Sequence, residues 1–111
     1  MQAGQLDRRV TLQRASTAPN SFNEPESIWL PLATVWASKT DVSDGEKLRS
    51  AEVGATIDTR FQIRWSTRVS SIGPKDRLTF EGRTYDIVGV KEIGRRLGLE
   101  ISATARNEVR P

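Results

Sequence analysis

Asp41, Asp44 and Glu46 lie close together in the chain and are the best candidates for metal ligation or acid–base work. They lack the Asp-x-Asp-x-Asp-Gly spacing that a calcium loop needs, so they read as a solvated loop leading into a helix cap. Gly94-Arg95-Arg96-Leu97-Gly98 combines glycines with basic residues. It has no Walker Lys-Ser/Thr pair and no preceding strand-to-helix context, so it reads as a strand-connecting turn with two exposed arginines. Arg60, Arg64 and Arg68 recur at a spacing of four. In an extended strand Arg60, Gln62 and Arg64 share a side, which gives either a solvated face or a charged interface. Trp29, Trp36, Trp65 and Tyr85 could stack nucleic-acid bases if they were exposed among basic groups. Trp65 falls on an apolar strand face and Trp36 lies in a mixed apolar run, so core packing is the preferred reading.

The missing residue types narrow the chemistry further. The 111 residues include no cysteine and no histidine. Disulfides, thiolate metal sites, cysteine nucleophiles and the usual proton shuttle are therefore absent. No nucleophile–base pair stands out, which counts against a small hydrolase. The expectation is a protein that is not an enzyme and that has no catalytic, metal-binding or cofactor-binding residues. No early apolar run resembles a signal peptide or a membrane span, so synthesis in the cytoplasm and no membrane partner are expected.

The net charge of +3 is unevenly spread. Residues 15–58 carry three basic groups against seven acidic ones, a net of −4. Residues 59–96 carry nine basic groups against four acidic ones, a net of +5. A molecule with an acidic side and a basic side fits this segregation.

The elements that hold these groups are mostly strands. In "IDTRFQIRW" Ile57, Thr59, Phe61, Ile63 and Trp65 alternate with polar residues, the signature of a strand buried on one face. "LGLEISATAR" repeats the pattern with Leu97, Leu99, Ile101, Ala103 and Ala105. "RRVTLQR" points Val10 and Leu12 inward, and "ATVWASKTDV" reads as a strand beginning after Pro31, which cannot donate to a ladder. "RLTFEGRTYDIVGV" is a hairpin with Leu78 and Phe80 on one strand, Tyr85 and Ile87 on the other, and Glu81-Gly82 as the turn. Gly73-Pro74-Lys75-Asp76 is a second turn. Ser43 precedes Glu46 at capping-box spacing, and Gly54 suits a helix C-cap, which predicts a short helix or partly ordered loop. The polar stretches 15–28 and 43–56 read as loops. The sum is one all-β domain over 1–111, a small antiparallel barrel or sandwich of about five to six strands with one short helix or long loop inserted.

The order of these pieces resembles the phage head–tail joining, or head completion, proteins of long-tailed phages and gene transfer agents. The resemblance is carried by "AGQLDRRVTLQR", "WLPLATVWASK", "EKLRSAEVGA", "TRFQIRW", "DRLTFEGRTYDIVGVKEIGRR" and "LGLEISATA" in that order, nearly the whole chain. Within them stand Gly4-x-Leu6-x-x-Arg9 and Gly82-x-x-Tyr85-x-Ile87. Residues 15–27 depart from the pattern, because they lack the Asp/Gly-type turn expected there.

The resemblance implies a structural virion protein that forms a ring in the neck beneath the portal as a stopper or adaptor. It would join the DNA-filled head to the tail and help retain DNA. Its partners would be further copies of itself, a portal or adaptor protein on the head side and a tail terminator or tail-completion protein on the tail side. Packaged DNA would pass through without sequence-specific binding. Candidate subunit or partner contacts are the acidic Asp41, Asp44, Glu46 and Glu52 and the basic Arg60, Arg64, Arg95 and Arg96, taken as opposing faces. The alternative is a nucleic-acid-binding barrel of the oligonucleotide-binding or SH3-like type, marked by exposed aromatics on a basic face.

Overall fold

Among the described residues, six antiparallel strands close into a barrel in the order β1-β2-β3-β6-β5-β4. They are β1 (Arg8–Pro19), β2 (Pro25–Asp41), β3 (Thr59–Arg64), β4 (Asp76–Phe80), β5 (Arg83–Ile93) and β6 (Gly98–Ala105). The helix α1 (Asp44–Glu52) lies between β2 and β3. The structure is a computed structural model describing residues 6–52 and 57–106, without the side chains of 49–52. Gly54, the expected helix C-cap, lies outside the described residues.

The barrel closes around side chains that alternate along each strand. Val10 and Leu12 of β1, Ala33 and Ala37 of β2, Phe61 and Ile63 of β3, and Leu99, Ile101 and Ala103 of β6 are buried. Leu78, Tyr85 and Ile87 complete the lining from the β4–β5 hairpin. Phe61 is the largest fully buried side chain, and it meets Phe80 and Tyr85 edge-on at 6.2 Å and 5.1 Å between ring centroids. Edge-to-face pairs add attraction beyond the area they bury. Trp65 and Phe80 pack against this core but stay partly exposed.

Two irregularities let the sheet curl. The β1–β2 register shifts between Leu12 and Gln13, and the β5–β6 register shifts between Ile87 and Gly89. Such bulges increase local twist, as closure of a small barrel requires. The first bulge also explains Pro31. The expected strand start after Pro31 is not observed; β2 begins at Pro25 and runs through the proline, which stands opposite Gln13 beside the shifted register.

The polar stretch 15–28, expected as a loop, is instead a two-stranded arm. Ala15 to Pro19 pair residue by residue with Trp29 to Pro25. β1 pairs with β4 only as far as Arg14↔Asp76, so the arm continues beyond the barrel. It has no inward face, and so it carries no alternating apolar signal.

The hairpin turn follows expectation. Glu81 and Gly82 have φ of 51° and 76°, the paired positive values of a type I′ turn. Leu97, expected inward, is 61% exposed, because β6 begins only at Gly98 and Leu97 belongs to the preceding turn. Between β3 and β4, residues 65–75 fold over the barrel in successive turns and bury Val69 and Ile72. Asp76 closes this segment. It is 4% exposed and accepts from Arg14 Nε at 3.0 Å, Arg14 Nη2 at 3.2 Å and the Gly73 amide at 3.0 Å. The Asp76 hydrogen bond, with its negative charge, raises the Arg14 guanidinium above its usual range.

Candidate assembly surfaces

The helix is built as its sequence suggests. Ser43 Oγ accepts from the Glu46 amide at 3.2 Å, which satisfies one of the orphan donors of the first turn. The cap aims Glu46 at the outer side of β3, where the alternation that buries Phe61 and Ile63 turns Arg60 and Gln62 outward. Arg60 Nη2 donates to Glu46 Oε1, and Arg60 Nε stands 3.6 Å from Glu100 Oε1 on β6. Gln62 Nε2 donates to Glu100 Oε2 at 3.3 Å. The hydrogen bond to Glu46 is the main cause that raises the Arg60 guanidinium above its ordinary value.

This cluster changes the charge picture drawn from the sequence. Segment charge puts Glu46 and Arg60 on opposing surfaces, yet they meet within one subunit. The sequence shows the segment charges but not that α1 folds back over β3. Asp41 is likewise engaged, with Lys39 Nζ 3.0 Å away. Asp44 is exposed at the start of α1, and the Glu52 side chain lies outside the described residues. Arg64 and Arg95 are exposed. Arg96 is exposed as well, and its guanidinium lies 5.0 Å from the centre of the Trp65 ring.

Arginine stacking recurs at each tryptophan. Arg77 lies 4.2 Å over Trp29 at the base of the arm, and Arg9 lies 4.9 Å over Trp36. Trp36, expected in the core, is 52% exposed. Ala33 and Ala37 are the inward residues of this strand, so Thr34 and Trp36 face out. Tyr85 is buried.

Trp36 also sits at a junction of three strands. Ala37 pairs with Arg8 on one side and with Ile63 on the other. One rung along, Trp36 pairs with Arg9 and comes beside Arg64 at the end of β3. The result is a groove of about 840 Å³ whose lining includes Leu6, Arg9, Val35, Trp36 and Arg64. An indole with one guanidinium over its ring and a second on the same groove can take an apolar side chain flanked by carboxylates.

The arm ends in an ordered tip. Asn20 Oδ1 accepts from the Phe22 amide at 2.9 Å and the Glu24 amide at 3.0 Å, and Asn23 adopts a φ of 61°. Phe22 is thereby held outward at 81% exposure. Sequence reasoning passed over Phe22 and the groove; a lone aromatic in a polar stretch was the available signal.

A family model described as phage head completion protein matches residues 1–106. The chain belongs to that family. A comparison with curated proteins returns no match. Among solved structures, this head completion protein is similar to protein SF1141 from Shigella flexneri 2a. The two share 27% identity with a TM-score of 0.77, over 98% of this chain and all of that one. It also shares its fold with a chain from the virion of a native gene transfer agent particle. That pair has 20% identity and a TM-score of 0.54, over 88% of this chain and 92% of the other.

Proposed function

We propose that this head completion protein is a structural, non-enzymatic subunit of the neck of a phage or phage-like particle. Several copies form a ring beneath the portal, join the DNA-filled head to the tail and help retain the packaged DNA. The observation that carries this reading is the family match over nearly the whole chain. The likeness of fold to a chain of a gene transfer agent virion supports it. In the particle the subunit contacts copies of itself, a portal or adaptor protein above and a tail terminator or tail-completion protein below.

The site geometry fits an assembly role. Glu46 is held by Arg60 of the same chain, and Asp41 pairs with Lys39 while staying exposed. Further exposed groups sit on the arm tip, along the groove and on the turn bearing Arg95 and Arg96. These, with Asp44 and Arg64, are the contact candidates. The nucleic-acid reading is the weaker one. Each tryptophan has an arginine of its own chain over its ring, and Tyr85 is buried, so the aromatics do not form a stacking row.

Deleting the gene and imaging the particles tests the proposal. Filled or leaking heads without attached tails are expected, and normal tailed particles would contradict it.

A further inference from the structure

The arm tip and the Trp36 groove are a tongue and a socket at opposite ends of one β-ribbon. Arg9 and Trp36 form a rung near the start of β1, and the tip lies beyond Pro19 and Pro25. Ten residues separate Arg9 from Pro19, roughly 33 Å at strand rise. The molecule measures 47 Å along its longest axis, so the ribbon spans most of it. A paired ribbon of this length cannot fold its tip back onto its own groove.

The two ends are complementary. The tip presents Phe22 with Glu24 and Glu26 close behind, all exposed. The groove offers Trp36 as apolar surface beside Leu6, with Arg9 and Arg64 as its cationic groups and Asp7 as its one acidic one among the described lining residues. We infer that the groove of one subunit receives Phe22 from the arm of a neighbouring copy, with Glu24 and Glu26 facing Arg9 and Arg64. This deepens the proposed ring and rests on it. A contact between two different surfaces is heterologous, so it propagates head to tail and closes when the rotation per subunit allows. It also explains an exposed two-stranded ribbon with a large aromatic at its end, since such a ribbon is marginal alone. A single-stranded nucleic acid fits less well, because Trp36 stands as a single aromatic among the described lining residues, whereas a strand needs a row of stacking platforms.

The chain has no cysteine, so introduced thiols report contacts cleanly. Ser21, beside Phe22 at the tip, and the groove residue Thr34 are both exposed, and cysteine at either position leaves Phe22 and the core intact. In assembled particles, the double variant Ser21→Cys/Thr34→Cys, which keeps Phe22, is expected to give a ladder of covalent multimers when treated with a short bismaleimide. Each single variant is expected to stay monomeric. In the same background, Glu24→Lys/Glu26→Lys should lower the multimer yield about tenfold, and adding Arg9→Glu/Arg64→Glu should restore part of it.

Absence of a ladder from particles that hold several copies, counted by quantitative mass spectrometry, would overturn the contact and leave the multi-copy reading standing. One copy per particle would remove both. Two further results would also overturn the inference: crosslinking of the Ser21→Cys thiol only to a different structural protein, or Trp36-dependent binding of a labelled single-stranded oligonucleotide with no ladder.

Discussion

Arg60 on β3 and Glu46 in the first turn of α1 form an ion pair that ties the helix to the outer wall of the barrel. Both side chains keep about 30% of their surface exposed, so the pair is partly screened. Among the described residues Arg60 Nε is buried without a hydrogen-bond acceptor, with Glu100 Oε1 at 3.6 Å. The helix is nine residues long, too short to be stable in water without docking.

Glu46→Ala is therefore expected to speed amide exchange throughout α1 while leaving β3 and β6 protected. The global cost should be about 1 kcal/mol. Arg60→Glu is expected to cost more, because it sets a third carboxylate beside Glu46 and Glu100. Its effect on assembly must be read after correction for that loss. If α1 amides exchange in Glu46→Ala as in the parent, the tether lies elsewhere.

Phe61 supplies the aromatic centre of the barrel, with Phe80 and Tyr85 against its edges. Phe61→Ala is expected to destabilise the fold by roughly 3–5 kcal/mol, since truncation there leaves a cavity the rigid barrel cannot fill. Urea unfolding should show a lower midpoint with an unchanged slope. A midpoint equal to that of the parent would mean that Phe61 is not in the core.

Asp76 serves three donors at once and fixes the turn that ends the 65–75 segment. Asp76→Ala strands the Gly73 amide and releases Arg14, with an expected loss of about 2–3 kcal/mol. Arg14 is half-exposed and can turn to water, so much of that cost should fall on the covering segment. Faster proteolysis within 65–75 would show it. Unaltered proteolysis together with unaltered stability would rule out this role for the carboxylate.

Among the described residues the arm beyond Arg14 forms strand pairs with itself alone, and none of residues 15–28 is buried. In the free subunit, amides of residues 15–28 are expected to exchange orders of magnitude faster than those of β3 and β6. Assembly into the particle should slow them. Strong protection already in the free subunit would contradict the view that neighbours order the arm.

Much of the barrel was legible because burial on one face writes a period of two. Thr59, Phe61 and Ile63 and then Leu99, Ile101 and Ala103 show it directly. The Glu81-Gly82 turn and the Ser43 cap were legible because they depend on local chemistry alone. The arm was not, since a ribbon without a buried face needs no apolar alternation. Val69 and Ile72 were missed because successive turns carry no period. Trp36 misled because the inward residues beside it, Ala33, Val35 and Ala37, are smaller than the outward indole, so side-chain size does not mark the buried face. The Glu46–Arg60 pair joins residues whose meeting depends on how α1 docks, which segment charge does not encode. The family resemblance needed none of these details, only the order of the motifs.

The central claim is that this chain sits as several copies around the axis between head and tail. Cryo-electron microscopy of intact particles, compared with particles carrying a small domain fused to the C-terminus of the chain, tests it most directly. The expected difference density is a ring of equivalent features beneath the portal. Extra density in the capsid shell or along the tail tube, or none in the particle, would contradict the account.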